Sequence, residues 1–260
     1  MFQNSPEDKI KQKAHELGFL SCGIARATHL PDFEAHLANY LGEDRYADLY
    51  YMARNREKRT DPRLLVEGCR TVVSVLLSYS NPQAPTPADG APIISKYAQG
   101  EDYHVVVKRK LHELMQFIND EIAPCAGRAF VDSAPVADKQ WAQRAGLGWI
   151  GKHTLLISPT HGSFLFIGEL LIDLELEADA PYAKSLCGTC TKCLDACPTQ
   201  ALIAPGKLDV GRCISYHTTA NKSGVIPPEL QAKFQNRVFG CDICQDVCPW
   251  NTRLMATRAD

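Results

Sequence analysis

Cys187-Gly-Thr-Cys190-Thr-Lys-Cys193-Leu-Asp-Ala-Cys197-Pro198 is the stretch that decides how this chain is built. Three cysteines at three-residue steps, then a fourth before proline, is the bacterial ferredoxin spacing. In that pattern the fourth thiolate serves the other of two [4Fe–4S] cubes. A second run, Cys241-Asp-Ile-Cys244-Gln-Asp-Val-Cys248-Pro249, lies downstream, with Cys213 between the two. A cube needs four thiolates, so these residues suit two cubes with none left over. The spacing assigns Cys187, Cys190, Cys193 and Cys248 to cluster one, and Cys197, Cys213, Cys241 and Cys244 to cluster two. Each cysteine before a proline is expected to start a helix leading toward the other cube. Two zinc ribbons on C-x2-C knuckles are the alternative; the triple spacing and both Cys-Pro endings favour iron. A protein of this kind moves electrons one at a time.

Outward from the cysteines the texture changes. From Leu186 onward the chain is cysteine-rich with short helices and little apolar core, so the clusters serve as its cross-links. Upstream lies mixed α/β sequence. Ser5-Pro-Glu-Asp8 resembles a capping box ahead of a helix reaching Gly18. Phe19 to Ala25 is expected to be a buried strand, with a helical region through the thirties and forties. Thr71 to Tyr79 is a β-branched strand, and Asn81 to Pro92, with four prolines, a surface loop. Tyr103 to Ala123 has helical periodicity, Arg128 to Asp132 reads as a strand, and Val136 to Ala145 as a helix. Strands near Thr154 to Ser158 and Ser163 to Leu176 follow. The expected fold is α+β: a mixed α/β domain over residues 1–180, then a ferredoxin-like two-[4Fe–4S] module over residues 181–260.

Composition sets bounds. The net charge is 28 − 30 = −2, so no global basic field advertises nucleic acid. Local patches at Lys108, Arg109 and Lys110, and at Lys222, Lys233, Arg237, Arg253 and Arg258, read as solvated faces. Cysteines kept as metal thiolates imply a reducing compartment. The remaining Cys22, Cys69 and Cys125 sit among apolar neighbours and read as buried, inert thiols. The N-terminus has no signal pattern, and the best apolar run, Phe164 to Leu176, is cut by Gly168, Glu169 and Asp173. A cytoplasmic location without a membrane partner is expected.

The α/β half has neither a G-x-G-x-x-G nor a Walker A loop, which argues against a Rossmann dinucleotide pocket. Its most suggestive feature is Phe130-Val-Asp132-Ser133-Ala134-Pro135, a strand delivering a carboxylate into a turn. Against an apolar cofactor such an acid could donate a proton; the ordinary alternative is a helix N-cap. Gly148-Trp-Ile-Gly151-Lys152-His153-Thr154 and Ser95 to His104 place cations, imidazoles and glycines on edge loops that can line a ligand site.

Taken together, Asp132-Ser-Ala-Pro135, Ala145 to His153, Gly162 to Leu171, Arg212-Cys-Ile-Ser-Tyr216 and Gly240 to Asn251 resemble the epoxyqueuosine reductase (QueG) family. Weaker matches at Asp61 to Leu65 and Asp102 to His104 extend the likeness over nearly the whole chain. The resemblance implies a cobalamin-dependent enzyme with two [4Fe–4S] clusters. It would reduce epoxyqueuosine to queuosine at the wobble position of tRNA carrying a GUN anticodon. The first domain would then bind cobalamin. By position, Asp132 matches the family's proton donor, Lys152 and His153 fall in its cobalamin-facing stretch, and Arg59 and Tyr97 accompany them. A small flavodoxin or ferredoxin is the expected electron donor, and a monomer the expected state. Family members usually continue past the Cys-Pro-Trp-Asn block into helical repeats that help grip tRNA; here Thr252 to Asp260 follow. A cobalamin-dependent reductive dehalogenase and a plain ferredoxin-type electron carrier are the competing readings.

Overall fold

The computed structural model describes residues 5–81 and 88–256, with side chains to residue 252. Part of the expected loop between Asn81 and Pro92 therefore lies outside the described residues, as do Arg258 and the side chain of Arg253. In chain order the elements are α1 (Pro6–Glu16), β1 (Ser21–Arg26), α2 (Pro31–Gly42), α3 (Arg56–Thr60), β2 (Thr71–Ser78) and β3 (Ile93–Ile94). Then come α4 (Tyr103–Glu121), β4 (Gly127–Phe130), α5 (Asp138–Arg144), β5 (Trp149–Ile150), β6 (Leu156–Ile157) and β7 (Leu165–Ile172). The cysteine-rich part holds α6 (Lys192–Asp195), β8 (Leu202–Ala204), β9 (Lys207–Leu208), α7 (Ile214–Thr219), α8 (Pro228–Gln231), β10 (Arg237–Phe239), α9 (Ile243–Asp246) and α10 (Pro249–Ala256).

Local chemistry explains where these elements begin and end. The Ser5 hydroxyl accepts the Asp8 N–H, and Pro6 occupies the first helical turn. At the other end Gly18 takes φ +88°. Its N–H reaches His15 O while Phe19 N–H reaches Ala14 O, a Schellman motif. Phe19 is thus used by the helix stop, and the strand starts at Ser21, two residues later than expected.

Four antiparallel strands in the order β1-β2-β7-β4 form the central sheet. One face packs on α1 and α4: Ile10, Ala14, Val107, Leu111, Leu114 and Ile118 lie against Ile24, Val73, Val75 and Leu170. The other packs on α5, where Trp141 and Ala142 meet Val72, Leu76, Phe130 and Leu171. Each fully buried aliphatic side chain contributes about 1.5–3 kcal/mol, so both helical layers are needed to cover a sheet apolar on two sides. Cys22 and Cys69 lie in or against these cores, their thiols pushed up by burial to about 12 and about 11. Burial also raises Cys125; Cys69 is buried as expected, while Cys22 and Cys125 are half-buried. Among the described residues no helix is long and apolar enough to cross a membrane.

The cysteine-rich part is sewn into the first part of the chain. β10 pairs in parallel with β3; Ser95 Oγ and Lys96 N–H both donate to the Asp242 carboxylate, at 2.6 and 2.8 Å. A second seam centres on buried Asn251. Its Oδ1 accepts Ser163 N–H at 2.7 Å, while its Nδ2 donates to Ser163 Oγ and Gln245 O at 2.9 and 2.7 Å. Gly162 must be glycine here: it holds φ +72°, and a Cβ would stand 2.2 Å from Asn251 Oδ1. One sequence expectation fails. α10 does start at Pro249, but Cys197-Pro198 opens a turn, with Gln200 at φ +53°, and α6 lies before that cysteine.

Asn251→Ala removes all three bonds and strands the Ser163 N–H, while Ser163 Oγ keeps Gln245 Nε2 and Gln245 O keeps the Cys248 N–H. At about 1–3 kcal/mol for a stranded group, a stability loss of about 1–3 kcal/mol is expected. Anaerobic denaturant unfolding followed by circular dichroism measures it.

Candidate functional site

The structure sorts the eight spaced cysteines into two quartets. A cavity of about 190 Å³ is lined by Cys187, Cys190, Cys193 and Cys248. A larger one, of about 340 Å³, takes Cys197, Cys213, Cys241 and Cys244 along one wall. Each quartet draws on both cysteine runs. Burial first, and neighbouring thiols second, push Cys193 and Cys244 up; burial also raises Cys213 and Cys248, and Cys241 reaches about 11. Thiolates crowded this way repel one another and need a cation to stay deprotonated. Among the described residues no three His, Cys, Asp or Glu side chains converge on the position of one ion. The thiols instead surround a space, as a cube requires and a tetrahedral zinc does not.

Donors surround the smaller quartet. Trp149, held between Tyr182 and Trp250, points its indole N–H at Cys187 Sγ, 3.4 Å away. Lys152 Nζ donates to Gly188 O and Cys190 O at 2.7 and 2.9 Å, bracing the tight loop that carries three of the thiols. Lys152 therefore stands beside this quartet and does not line the larger cavity. At the other quartet Ala201 N–H donates to Cys197 Sγ at 3.2 Å.

The rest of the larger cavity is mostly apolar, with Leu155, Leu165 and Ile167 beside Tyr79, Tyr97 and His153. His153 lines both cavities. It is 3% exposed, and burial with the nearby Lys139 ammonium lowers its pKa to about 4. The ring is neutral at pH 7. Nδ1 accepts Leu155 N–H at 3.2 Å, which puts the ring proton on Nε2. That Nε2 is buried with no partner. A greasy wall with one unsatisfied donor fits a large, mostly apolar cofactor fringed with acceptors.

Asp132 stands at the rim of this region. β4 ends at Phe130, and Asp132 itself takes φ +50°, a left-handed conformation that Asp tolerates better than most residues. It caps no helix, since α5 starts after Ala137 without a side-chain cap. Its carboxylate accepts the Tyr103 hydroxyl, and His104 Nε2 lies 3.7 Å from its other oxygen. The Tyr103 ring stacks on Phe166 and meets the Tyr97 ring edge-on. Tyr97 thus links the cavity wall to the acid. Burial, then the Asp132 hydrogen bond, raises the Tyr103 phenol, so Tyr103 stays a donor. Arg59 lies behind: its guanidinium donates to Tyr51 O at 3.4 Å, its Nε is buried unpaired, and it feels the charge of Asp138.

Sequence reasoning missed several residues here. The sequence marks Tyr103 and His104 as part of the Ser95 to His104 edge stretch and of a weaker family match, and does not join them to Asp132. Glu169 was read merely as an interruption of an apolar run, yet it is 0% exposed. Asp138 and Lys139 passed unnoticed. The available signal was an acid at an inward-facing position of an otherwise apolar strand.

Comparison with known proteins agrees with this geometry. Residues 186–251 match a 4Fe-4S double cluster binding domain, and residues 59–133 match the family described as epoxyqueuosine reductase QueG, DUF1730. The chain is 51% identical to an epoxyqueuosine reductase of Cellulophaga algicola, covering 94% of this chain and 78% of that one. It is 45% identical to one from Xanthomonas campestris, covering 97% and 71%. An epoxyqueuosine reductase solved with an epoxyqueuosine-modified tRNA-Tyr stem loop superposes with TM-score 0.86 at 32% identity, covering 94% of this chain and 65% of that chain. The chain thus spans somewhat under two thirds of that structure. A Bacillus subtilis epoxyqueuosine reductase, solved with an aspartate-bearing catalytic loop swung out of its active site, matches with TM-score 0.84 at 31% identity, covering 94% and 64%. A reductive dehalogenase shares the fold at TM-score 0.59 and 19% identity, covering 95% of this chain and 32% of that one. The fold and the double-cluster region define an iron–sulfur oxidoreductase. This chain belongs to the epoxyqueuosine reductase family.

Proposed function

We propose that this protein reduces epoxyqueuosine to queuosine at the wobble position of tRNA with a GUN anticodon, using cobalamin fed by two [4Fe–4S] clusters. The observation that carries the reading is the larger cavity. One wall is a thiol quartet, another an apolar surface with the orphaned His153 donor, and Tyr97 and Tyr103 lead from it to Asp132. Electron supply, cofactor surface and acid lie in sequence. We assign Cys187, Cys190, Cys193 and Cys248 to cluster one and Cys197, Cys213, Cys241 and Cys244 to cluster two. Tyr97 and His153 would hold cobalamin, with Arg59 on the far side of Asp132 and Lys152 bracing the loop of cluster one. When bound, cobalamin would supply a metal able to store reducing power for the epoxide.

Opening the epoxide and losing its oxygen as water takes two electrons and two protons. Asp132 protonates the oxygen as the ring opens, which prevents full negative charge from building there. The Tyr103 hydroxyl and His104 fix the carboxyl in place. A single-stranded anticodon loop can splay its base toward this rim, and phosphate contacts should make tRNA binding fall steeply with salt. A small flavodoxin or ferredoxin as electron donor, a monomeric state and a cytoplasmic setting complete the proposal.

A dehalogenase of the same fold is the second reading, and its 19% identity carries architecture alone. A plain electron carrier leaves Asp132, Tyr103 and the apolar cavity without a use. Anaerobic incubation with cobalamin, a strong reductant and epoxyqueuosine-containing tRNA, followed by nucleoside mass analysis, tests the proposal; absence of queuosine in that assay overturns it.

Asp132→Asn retains the left-handed backbone preference but cannot donate as an acid. Turnover should fall about 10²–10⁴-fold while iron content, cobalamin binding and tRNA affinity hold, which steady-state kinetics and binding titrations report. The crossed ligand assignment has its own check. Cys197→Ala should disturb cluster two and leave cluster one's signal, and Cys248→Ala the converse. Electron paramagnetic resonance of the reduced variants separates the two cases.

A further inference from the structure

Beneath the proposed site lies a pair of acids that the chemistry above leaves idle. Glu169 sits within β7, fully buried, its cross-strand neighbours being Ser74 and Phe130. Asp138 opens α5, the helix that covers this face of the sheet. Their carboxyl groups lie close enough to share a proton. Among the described residues no N–H or hydroxyl donor reaches Asp138 Oδ1 or either Glu169 oxygen, and the buried Ser74 hydroxyl opposite makes no bond either. Two carboxylates have no proton to offer one another, so this contact requires a proton held between them.

The surroundings keep it there. Burial raises both acids, Glu169 strongly; Asp138 raises Glu169 further, while the contact with Glu169 lowers Asp138, so the proton resides on Glu169. Of the charged groups that act on Asp138, Asp132 pushes the same way and Lys139 opposes it, while Arg59 lies close enough to feel Asp138 in turn. Lys139 is half-buried, with its amine committed to Thr154 O at 2.8 Å. The pair is therefore a stored proton within electrostatic reach of Asp132.

We propose that the Asp138–Glu169 pair is the internal proton reserve of this site, re-protonating Asp132 between the two proton deliveries of one turnover. The proposal rests on the reductive reading above. The balance is as follows. One proton passes from Asp132 to the oxygen as the first C–O bond breaks, and the reserve returns a proton to the Asp132 carboxylate. Asp132 delivers the second as the remaining C–O bond breaks and water leaves, both electrons coming from the clusters; the pair then refills from solvent. The need arises because the Asp132 side chain, 59% exposed here, would be cut off from bulk water under a bound tRNA loop.

Glu169→Gln keeps the shape and a hydrogen bond to Asp138 but removes the stored proton, whereas Asp138→Asn leaves that proton on Glu169 and removes the carboxylate that shares it. Infrared spectra of the cluster-loaded protein without tRNA should show a protonated-carboxyl band at about pH 7 that shifts in deuterium oxide, is lost in Glu169→Gln and persists at a shifted frequency in Asp138→Asn. Its absence from the native protein overturns the proposal whatever the activity. The raised carboxyl also links to stability. Its contribution is full below the unfolded value of about 4.3 and is lost as pH rises through the folded value, so Glu169→Gln should flatten that decline. In multiple turnover Glu169→Gln should slow about tenfold or more, increasingly so with rising pH, at unchanged tRNA affinity and iron content. A native rate and pH profile in both variants would overturn the reserve role even with the band present. The band does not depend on the substrate, so its presence in a protein inactive on epoxyqueuosine would instead sink the proposed function.

Discussion

Mutual repulsion among crowded thiolates is the constraint on which the rest of this molecule depends. Each cavity gathers four cysteines from two separate runs of chain, and burial makes their ionisation costly without a compensating cation. The polypeptide around them has short helices and strands of two or three residues, too little apolar area to fold by burial alone. Its order therefore comes from outside. It is held by sulfur on one side and by seams to the α/β part on the other, at Ser95–Asp242 and Ser163–Asn251. The same seams fix the larger cavity, since Ser95, Ser163, Gln245 and the thiols of the second quartet all line it.

The two halves are consequently not separable pieces. β3 belongs to the first part of the chain but pairs only with β10, and Arg45 donates to Leu208 O across the same divide. The cavity that joins thiols to Tyr97 and Leu165 has walls from both. The two cavities share a side chain, His153, which lines both.

How much was legible beforehand follows from the range of each interaction. The quartets could be assigned because the ferredoxin spacing is local and its crossing rule is a steric property of tight loops. The central strand and both long helices were legible from β-branched runs and from 3.6-residue periodicity. Asp132 was visible as a strand-end acid, but its partner Tyr103 lies a helix away, and nothing local says which ring will meet it. Cys197-Pro198 misled because Cys-Pro permits a helix without compelling one; the chain turns there to enter β8. The Asp138–Glu169 contact was the least legible. It joins a strand to a helix start, and the only hint was a carboxyl amid leucines.

The crossing of the two cysteine runs bears on biogenesis. The quartet of the larger cavity is complete once Cys244 has been translated, and that of the smaller one only at Cys248. Neither can be assembled from the first cysteine run alone. A nascent chain interrupted before Cys241 completes neither quartet, so both centres share one late requirement in synthesis.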